Sequence, residues 1–403
     1  MADLSTKYMG MHLKNPIIAG ASNLSKNLDN LKRMEDAGAA AVVYKSLFEE
    51  QIQLEQAQLD EELTEFDERN PEMIKTHPSI EHSGPEEHLL ELQRAKASME
   101  IPLIASLNAI YKETWLDYAK RIEETGVDAL ELNFYHVPYD IEKEGVSIEE
   151  QQVGILKQIR KQISIPVSVK LSPFYSNALN LIETMDAEGI DGFVLFNRLF
   201  EPEINVDKEE HDFPFNLSQK GDYKLPLRYI GLLYDNINAT MCANTGVYEG
   251  SDAIKMMLAG ADCVQVVSTL YRNKIEQISK MTKDIEQWMD QHSYSSIKDF
   301  KGKLSRAKVK NPFVYKRGQY VDILMNPEEI IKNYRKGLPG KVKRPDNPFY
   351  LLLWFAKLFQ AGNNFSFGHN ITMIKDKFIY LTIVFGDYFI KRVVGFDITD
   401  AVA

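Results

Sequence analysis

The sequence predicts a (β/α)8 barrel, and three patterns carry the prediction. Eight short apolar runs alternate with amphipathic stretches over roughly the first 290 residues, the length and order of such a barrel. The apolar runs are almost uninterrupted, which is typical of strands buried on both faces of a parallel sheet. Several of these runs end in a single polar residue. A doubly wound sheet, the alternative, would have fewer strands and a G-x-G-x-x-G turn, which Gly20-Ala-Ser-Asn does not match.

The strands follow one another at regular spacing. Three of them open at a proline, Pro16, Pro102 and Pro166, where a missing N–H harms a strand least. We expect strands near 16–20, 41–45, 102–107, 128–133, 166–171, 191–196, 239–243 and 262–267. We expect helices over 27–37, 86–99, 113–125, 148–162, 177–188, 226–236, 251–259 and 271–290.

Four of the helix-to-strand turns repeat one pattern. A helix ends, glycine follows, a few small residues turn, and an apolar run begins, at Gly38, Gly126, Gly189 and Gly260. Glycine is the residue that most readily takes the left-handed conformation at the end of a helix. This internal repetition supports alternating strands and helices.

Two connections are long, 46–85 after the second strand and 198–225 after the sixth. Both follow the carboxyl end of a strand, the end at which barrel enzymes carry their chemistry. Long connections there are usually lids or binding walls. The first is acidic, which indicates a solvated helical surface.

Composition excludes some classes of protein. The 403 residues carry a net charge of −11, which disfavours nucleic-acid binding. Cys242 and Cys263 lie in apolar runs, so we expect small buried core residues. Two cysteines are also too few for an iron–sulfur cluster, which commonly takes four. The polar start, without a disulfide framework, predicts a cytoplasmic protein.

The chain changes character after the barrel. Residues 300–345 are basic, and apolar runs beyond residue 349 are too short and too interrupted by charge to span a bilayer. We therefore expect a barrel over 1–298, a basic loop or helical extension over 299–345 and an apolar tail over 346–403. The tail is interpreted as a packing appendage or a peripheral contact.

Polar residues at strand ends are the first indication of chemistry. Two lysines, Lys45 and Lys170, and two asparagines, Asn133 and Asn197, each close an apolar run. Such residues are costly to desolvate unless something polar lies beside them. Lysine there can hold a phosphate, form a Schiff base or polarise an electron-accepting ring. A structural ion pair is the alternative for any one of them.

The last two strand ends predict a phosphate site. Gly246 and Gly250 free the turn after the seventh strand, and Ser268 and Thr269 supply hydroxyls after the eighth. Many barrels bind a phosphate between these two loops. Ordinary turn chemistry would also place glycines there.

Together these motifs resemble the dihydroorotate dehydrogenase family over roughly residues 3–290, and also the flavin domain of dihydropyrimidine dehydrogenase. The segment after Lys45 is more similar to the divergent dihydroorotate dehydrogenase-like branch. The matching segments, in order, are Asn15-Pro-Ile-Ile-Ala-Gly-Ala-Ser22, Lys45-Ser46, Leu130-Glu-Leu-Asn133, Val169-Lys170-Leu-Ser-Pro173, Asn197, Thr245-Gly246 and Gly260-Ala-Asp-Cys-Val-Gln265.

The resemblance implies an FMN across the barrel mouth and assigns residues to it. Lys170 would lie by the N1–C2=O edge of the flavin, where a cation raises the electron affinity of the ring. The phosphate would lie near Thr245, Gly246, Ser268 and Thr269. The ring and its flank would contact Ala21, Ser22, Lys45, Ser46 and Asn133, and the substrate would contact Lys45, Asn133 and Asn197.

The chain departs from the family pattern at the base. The family's Asn-x-Ser-Cys-Pro-Asn loop reads Asn133-Phe-Tyr-His136-Val-Pro138 here, so His136 stands at the base position and Tyr135 precedes it. Histidine can act as a base near neutral pH, although a loop histidine that merely packs is an equal alternative. The family's amide-bearing segment after the second strand is absent, with His82-Ser83-Gly84-Pro85 near its place, and Val267 replaces a phosphate-site glycine.

The sequence therefore predicts an FMN-dependent oxidoreductase that transfers a hydride between flavin and a small, planar, pyrimidine-like substrate. His136, or else Tyr135, would handle the accompanying proton. A soluble electron-transfer partner is implied, and the oligomeric state, including a homodimer, stays open. Two alternatives remain: a flavin-free phosphosugar lyase or isomerase, and a degenerate barrel that serves as a subunit or scaffold.

Overall fold

The computed structural model describes residues 2–54, 84–137, 140–199, 201–212, 217–325, 370–374, 378–385 and 388–395. The chain divides into two compact units, Met1–Asp322 and Ile323–Ala403. The first unit contains the predicted barrel. The predicted boundaries at 298 and 345 stay predictions.

Eight parallel strands close into a barrel, as the apolar runs predict. In chain order they are β3 (Ile17–Ala19), β4 (Ala41–Val43), β6 (Leu103–Asn108), β7 (Ala129–Phe134), β8 (Val167–Leu171), β9 (Gly192–Leu195), β12 (Thr240–Ala243) and β13 (Cys263–Val266). Each pairs in parallel with the next, β13 pairs with β3, and a short β5 (Leu47–Phe48) pairs with the end of β6. In the connection after β9, β10 (Glu203–Asn205) and β11 (Glu210–Asp212) form an antiparallel hairpin. All eight strand predictions are confirmed to within two residues.

Helices follow the strands on the outside. They are α1 (Leu28–Asp36), α2 (Pro85–Ser98), α3 (Lys112–Glu124), α4 (Gly145–Gln162), α5 (Ala178–Ala187), α6 (Lys224–Leu233), α7 (Gly250–Ala259), α8 (Ser268–Asn273) and α9 (Gln277–Gln291). The single helix predicted over 271–290 is wrong, because Lys274 takes a left-handed conformation (φ 68°) that separates α8 from α9.

An N-terminal hairpin closes the amino end of the barrel, and the sequence did not predict it. Strands β1 (Thr6–Tyr8) and β2 (Met11–Leu13) pair antiparallel. The Met9 N–H donates to Thr240 Oγ1 at 3.0 Å, and Thr6 Oγ1 donates to the Asp262 carbonyl at 2.9 Å. Tyr8, fully buried, packs in the barrel interior with Cys242 and Cys263. The two cysteines are buried and unbonded, so the prediction that they are core residues is confirmed.

Beyond α9, the chain continues along the barrel helices. Leu304 N–H bonds the Leu258 carbonyl at 2.8 Å, and Arg306 N–H bonds the Gly231 carbonyl at 2.8 Å. A short helix, α10 (Gly318–Met325), follows. The first part of the predicted basic extension is thus attached to α6 and α7 by backbone hydrogen bonds.

The second unit contains an antiparallel meander of β14 (Asn370–Ile374), β15 (Phe378–Phe385) and β16 (Tyr388–Gly395). Strands β15 and β16 correspond to apolar runs of the predicted tail. None of the helices in the described part of the chain is both long and apolar enough to cross a bilayer.

Candidate active site

A buried ion pair lies inside the barrel, below the carboxyl ends of the strands. Lys170 on β8 is 5% exposed, and its Nζ is 3.6 Å from Oε1 of Glu131 on β7. The other carboxylate oxygen accepts a hydrogen bond of 2.5 Å from Gln265 Nε2, across the barrel on β13. At 3.6 Å the Lys170 contact is too long for a hydrogen bond. The ammonium makes no hydrogen bond to a described residue, so its donors remain available to a ligand.

Two asparagines lie at the same mouth. Asn133 is the strand partner of Lys170, so the two side chains leave neighbouring strands on the same face. The Asn197 amide donates to Asn133 Oδ1 at 2.7 Å, and Asn108 donates to the Asn133 carbonyl at 3.1 Å. The structure therefore brings Asn133, Asn197 and Lys170 together, as the strand-end pattern predicts.

Lys45 lies in a different electrostatic environment. It is half-buried after β4, and burial together with the charge of Lys26 lowers the pKa of its ammonium, while Glu91 opposes that effect. Its charge also lowers the pKa of the buried His88. The convergence of Lys45 and Lys170 on one ligand stays a prediction.

The remaining residues predicted to flank the ring lie after β3 and β4. Ala21 is half-buried against the inner core, and Ser22 is half-buried at the start of the 3-10 turn Asn23–Lys26. Ser46 is buried, and its hydroxyl bonds that of Ser106 at 2.7 Å. The Ser46 hydroxyl therefore already has a hydrogen-bond partner within the protein.

The predicted phosphate residues meet a serine that the sequence did not single out. Thr245 and Gly246 both have φ 75°, and this turn aims the Gly246 N–H at Ser218 Oγ, 3.3 Å away. The Ser218 hydroxyl donates to Ser268 Oγ at 2.8 Å, and the Ser218 N–H reaches the same oxygen at 3.0 Å. Three loops, after β9, β12 and β13, therefore converge on one cluster of donors.

The segment that carries Ser218 is held from several sides. The Tyr248 hydroxyl donates to the Ser218 carbonyl, and the Tyr248 carbonyl in turn accepts from Thr269 Oγ1 at 3.0 Å. Arg198 bonds Asp222 at 2.7 Å. The Thr269 hydroxyl is thus committed to Tyr248, whereas the Thr245 hydroxyl donates to the Phe196 carbonyl at 2.8 Å.

The base candidates lie directly after β7. Tyr135 and His136 are both half-buried, and the Tyr135 N–H bonds the Asn133 carbonyl at 2.8 Å. Burial, with the nearby charge of Lys143, lowers the pKa of His136 from its usual value of 6.5. The imidazole is therefore neutral at neutral pH, the state in which it can accept a proton.

Several residues singled out from the sequence lie outside the described part of the chain. The described residues leave out 55–83, which covers most of the acidic connection with His82 and Ser83, and also Pro138. Conversely, sequence reasoning assigned no role to Glu131, Gln265, Ser218 or Tyr248. Glu131 stands two residues before Asn133 on one strand, and this period of two was the signal that both side chains face the interior.

A barrel with its polar residues gathered at the carboxyl ends of the strands defines this protein as an enzyme of the (β/α)8 class. The family model for dihydroorotate dehydrogenase matches residues 70–289, more than half of the chain. The chain belongs to the dihydroorotate dehydrogenase family, and it is an oxidoreductase of that flavin-dependent family. The phosphosugar lyase or isomerase alternative is thereby set aside.

Relatives in other organisms cover most of the chain. The catalytic subunit of dihydroorotate dehydrogenase B (NAD(+)) from Thermoplasma volcanium is 26% identical over 311 residues, 75% of this chain and 98% of the relative. The protein of that name from Methanocaldococcus jannaschii is 25% identical over 70% of this chain and 92% of its own. The chloroplastic dihydropyrimidine dehydrogenase (NADP(+)) of Arabidopsis thaliana is 25% identical over 74% of this chain and 76% of its own.

The residues present fit a flavin. The nearly buried Lys170 ammonium has donors that no described residue uses, and a cation is what the electron-accepting edge of the ring requires. The Gly246, Ser218 and Ser268 groups form a compact set of N–H and O–H donors, suited to a phosphate. Asn133 and Asn197 add amide groups, with both donors and acceptors, at the same mouth.

Proposed function

We propose that this protein binds FMN noncovalently in the barrel mouth and oxidises or reduces a small, planar, dihydropyrimidine-like substrate. The single observation that carries the proposal is Lys170. The Lys170 ammonium is nearly buried near two asparagine amides, and no described residue accepts a hydrogen bond from it. Burial of such a group costs free energy unless a ligand accepts its hydrogen bonds. The names of the relatives, dihydroorotate and dihydropyrimidine dehydrogenases, support the pyrimidine class.

The chain's own residues would divide the work. When bound, FMN supplies a two-electron acceptor for a hydride from one substrate carbon. Lys170 would stabilise the negative charge of the reduced ring, and Asn133 with Asn197 would orient the substrate. His136 would take the proton from the adjacent carbon, which leaves the C=C double bond of the product. Ala21, Ser22, Lys45 and Ser46 would line the ring and its flank.

The phosphate would lie against Thr245, Gly246, Ser268 and Thr269, with Ser218 as an additional donor. Ser218 Oγ accepts from the Gly246 N–H and donates to Ser268 Oγ, so an anion held beside this cluster would be within reach of the Gly246 N–H and of the two serine hydroxyls. The Thr269 side chain is engaged with Tyr248, so its contribution would come through the backbone.

A partner protein would take the electrons onward. The archaeal relatives are named catalytic subunits, which supports a partner subunit or a soluble electron carrier for this chain as well. The sequence itself supplies two cysteines, both buried in the barrel core, and neither is available for electron relay.

The test is extraction of the cofactor, followed by anaerobic mixing. We expect the purified protein to be yellow, to release FMN on denaturation, and to lose its flavin absorbance when mixed without oxygen with a dihydropyrimidine. Colourless protein that takes up no added FMN would contradict the cofactor. Bound FMN that no dihydropyrimidine bleaches, and that leaves pyrimidines unreduced after dithionite treatment, would support the degenerate-barrel alternative instead.

A further inference from the structure

The proposed function assigns no role to the carboxylate of Glu131, and packing of the barrel interior does not require a charged side chain there. It is 1% exposed, inside a barrel whose interior also contains apolar residues such as Ala129, Val194 and Ile104. Such layers are usually filled by branched apolar side chains. Burial there removes the hydration of a carboxylate, which is unfavourable unless the group is paired and hydrogen-bonded.

Among the described residues, Glu131 has one hydrogen-bond partner and one charged neighbour. Oε2 accepts from Gln265, while Oε1 makes no hydrogen bond to a described residue and faces Lys170 Nζ at 3.6 Å. Its strand neighbours are two buried serines, Ser106 and Ser168. The other titratable groups near it, Tyr8 and the two thiols, lie deeper in the barrel.

The ion pair therefore determines the charge that Lys170 presents at the mouth. A lone buried ammonium would present a full positive charge, whereas the Glu131 carboxylate, 3.6 Å away, offsets part of it and draws the ammonium toward β7. The Gln265 amide, in turn, withdraws part of the carboxylate charge through its hydrogen bond.

We propose that Glu131 is a positioning residue that orients the Lys170 ammonium and sets the reduction potential of the flavin bound above it. The inference rests on the proposed function, because it needs a flavin at Lys170. Reduction places additional negative charge on the ring. A nearby cation favours that charge, and a nearby carboxylate opposes it. Glu131 holds the potential lower than Lys170 alone would set it.

The experiment is the midpoint potential of the bound FMN, measured anaerobically against a reference dye at fixed pH. Glu131→Gln should raise the potential by at least the equivalent of a tenfold change in the oxidised-to-reduced ratio, ~30 mV for a two-electron couple. Ser168→Ala, a buried neutral change at the strand partner of Glu131, should leave it unchanged.

A second variant should shift the midpoint potential of the bound FMN in the opposite direction. Gln265→Leu removes the amide that shares the carboxylate charge, so more of that charge faces Lys170 and the potential should fall. It also tests the inference if Glu131→Gln does not fold. A purely structural role would not move the two variants in opposite directions.

The outcomes separate this inference from the proposed function. Wild-type protein that retains no FMN would overturn both. Wild-type protein that binds FMN, with Glu131→Gln at the same potential, would overturn the role of Glu131 alone. If Glu131→Gln is not folded, a Gln265→Leu potential equal to that of wild type would overturn it equally.

Discussion

His136 has the location and the protonation state that the proposed base requires. It follows Asn133 by three residues at the mouth, and both burial and Lys143 lower its pKa. A base with a lowered pKa is unprotonated over a wider range of pH, although it is a weaker base in its free form. As the proposed base, His136 would therefore act without an activating partner.

We expect the rate of flavin reduction by substrate to rise with pH through a pKa below 6.5 and to be level at neutral pH, because only neutral His136 accepts the proton. His136→Ala should lower this rate by about 10²–10⁴-fold and leave FMN bound. The measurement is stopped-flow flavin bleaching across pH.

Lys143→Gln serves as a matched control for the charge effect. Removal of the cation makes protonation of His136 easier, so the rising limb of the profile should move to higher pH. An unchanged profile in this variant, or a His136→Ala protein with the wild-type rate, would exclude His136 as the base.

His88 should make the free energy of unfolding depend on pH. It is 4% exposed with its ring edge-on to Tyr44, and burial with the charges of Lys45 and Lys26 lowers its pKa from 6.5 to about 4. The unfolded chain takes up the proton first as pH falls, so the native state loses stability between pH 6.5 and 4, by up to about 3 kcal/mol.

His88→Phe should flatten the pH dependence of the unfolding free energy over that window, since phenylalanine keeps the ring contact and does not titrate. Urea unfolding at several pH values measures this effect. His12→Phe, at an exposed position, controls for the loss of one histidine. If wild type and His88→Phe lose stability in parallel, protonation of His88 is not the cause.

Among the connecting segments, the one after β9 adds a hydrogen-bonding residue, Ser218, to the predicted phosphate site. Residues 217–223 hold Ser218 over the turns that follow β12 and β13, and Tyr248 and Arg198 fix the segment in place. Gly246 permits this close approach, because a side-chain carbon there would overlap the backbone of Asp222 and Tyr223. The long connection predicted to form a binding wall thus reaches the predicted phosphate residues.

We expect Ser218→Ala to weaken FMN binding by roughly tenfold, the value of about one hydrogen bond to a charged group. Riboflavin, which lacks the phosphate, should bind wild type and variant equally. The measurement is the dissociation constant of each flavin by fluorescence quenching. Equal losses for both flavins would mean that Ser218 supports the loop rather than the phosphate.

How far the sequence predicts these elements depends on how local each signal is. Barrel strands are buried on both faces and therefore have nearly uninterrupted apolar sequences, so all eight could be predicted. The break at Lys274 was not, because a left-handed lysine has no distinctive local pattern. Likewise, the contacts of Glu131 with Gln265 and of Ser218 with Ser268 join residues far apart in the chain, and no single segment contains either signal.

At the scale of the whole barrel, the first unit is closed at its amino end by the N-terminal hairpin. The β1–β2 hairpin inserts Tyr8 into the amino end, and this apolar floor isolates the Glu131–Lys170 pair from water below. Among the described residues, the polar side chains of the site gather at the carboxyl ends of the strands. A low dielectric below the pair strengthens its field at the mouth.

We expect Tyr8→Ala to cost about 3–5 kcal/mol of unfolding free energy, as for other buried aromatic truncations. Tyr8→Phe should stay within about 1 kcal/mol of wild type, because the ring is kept. Denaturant unfolding followed by tryptophan fluorescence measures both variants. A small loss in Tyr8→Ala would mean that the hairpin does not seal the barrel.

The most direct test of the central claim, that Lys170 receives a flavin, is the FMN content and midpoint potential of Lys170→Met. Lys96→Met is the matched control, because Lys96 also pairs with a carboxylate, Asp128 before β7, at the opposite end of the barrel. We predict that Lys96→Met retains the wild-type flavin, and that Lys170→Met either loses FMN or binds it at a lower potential. Wild-type FMN content and potential in Lys170→Met would contradict the account.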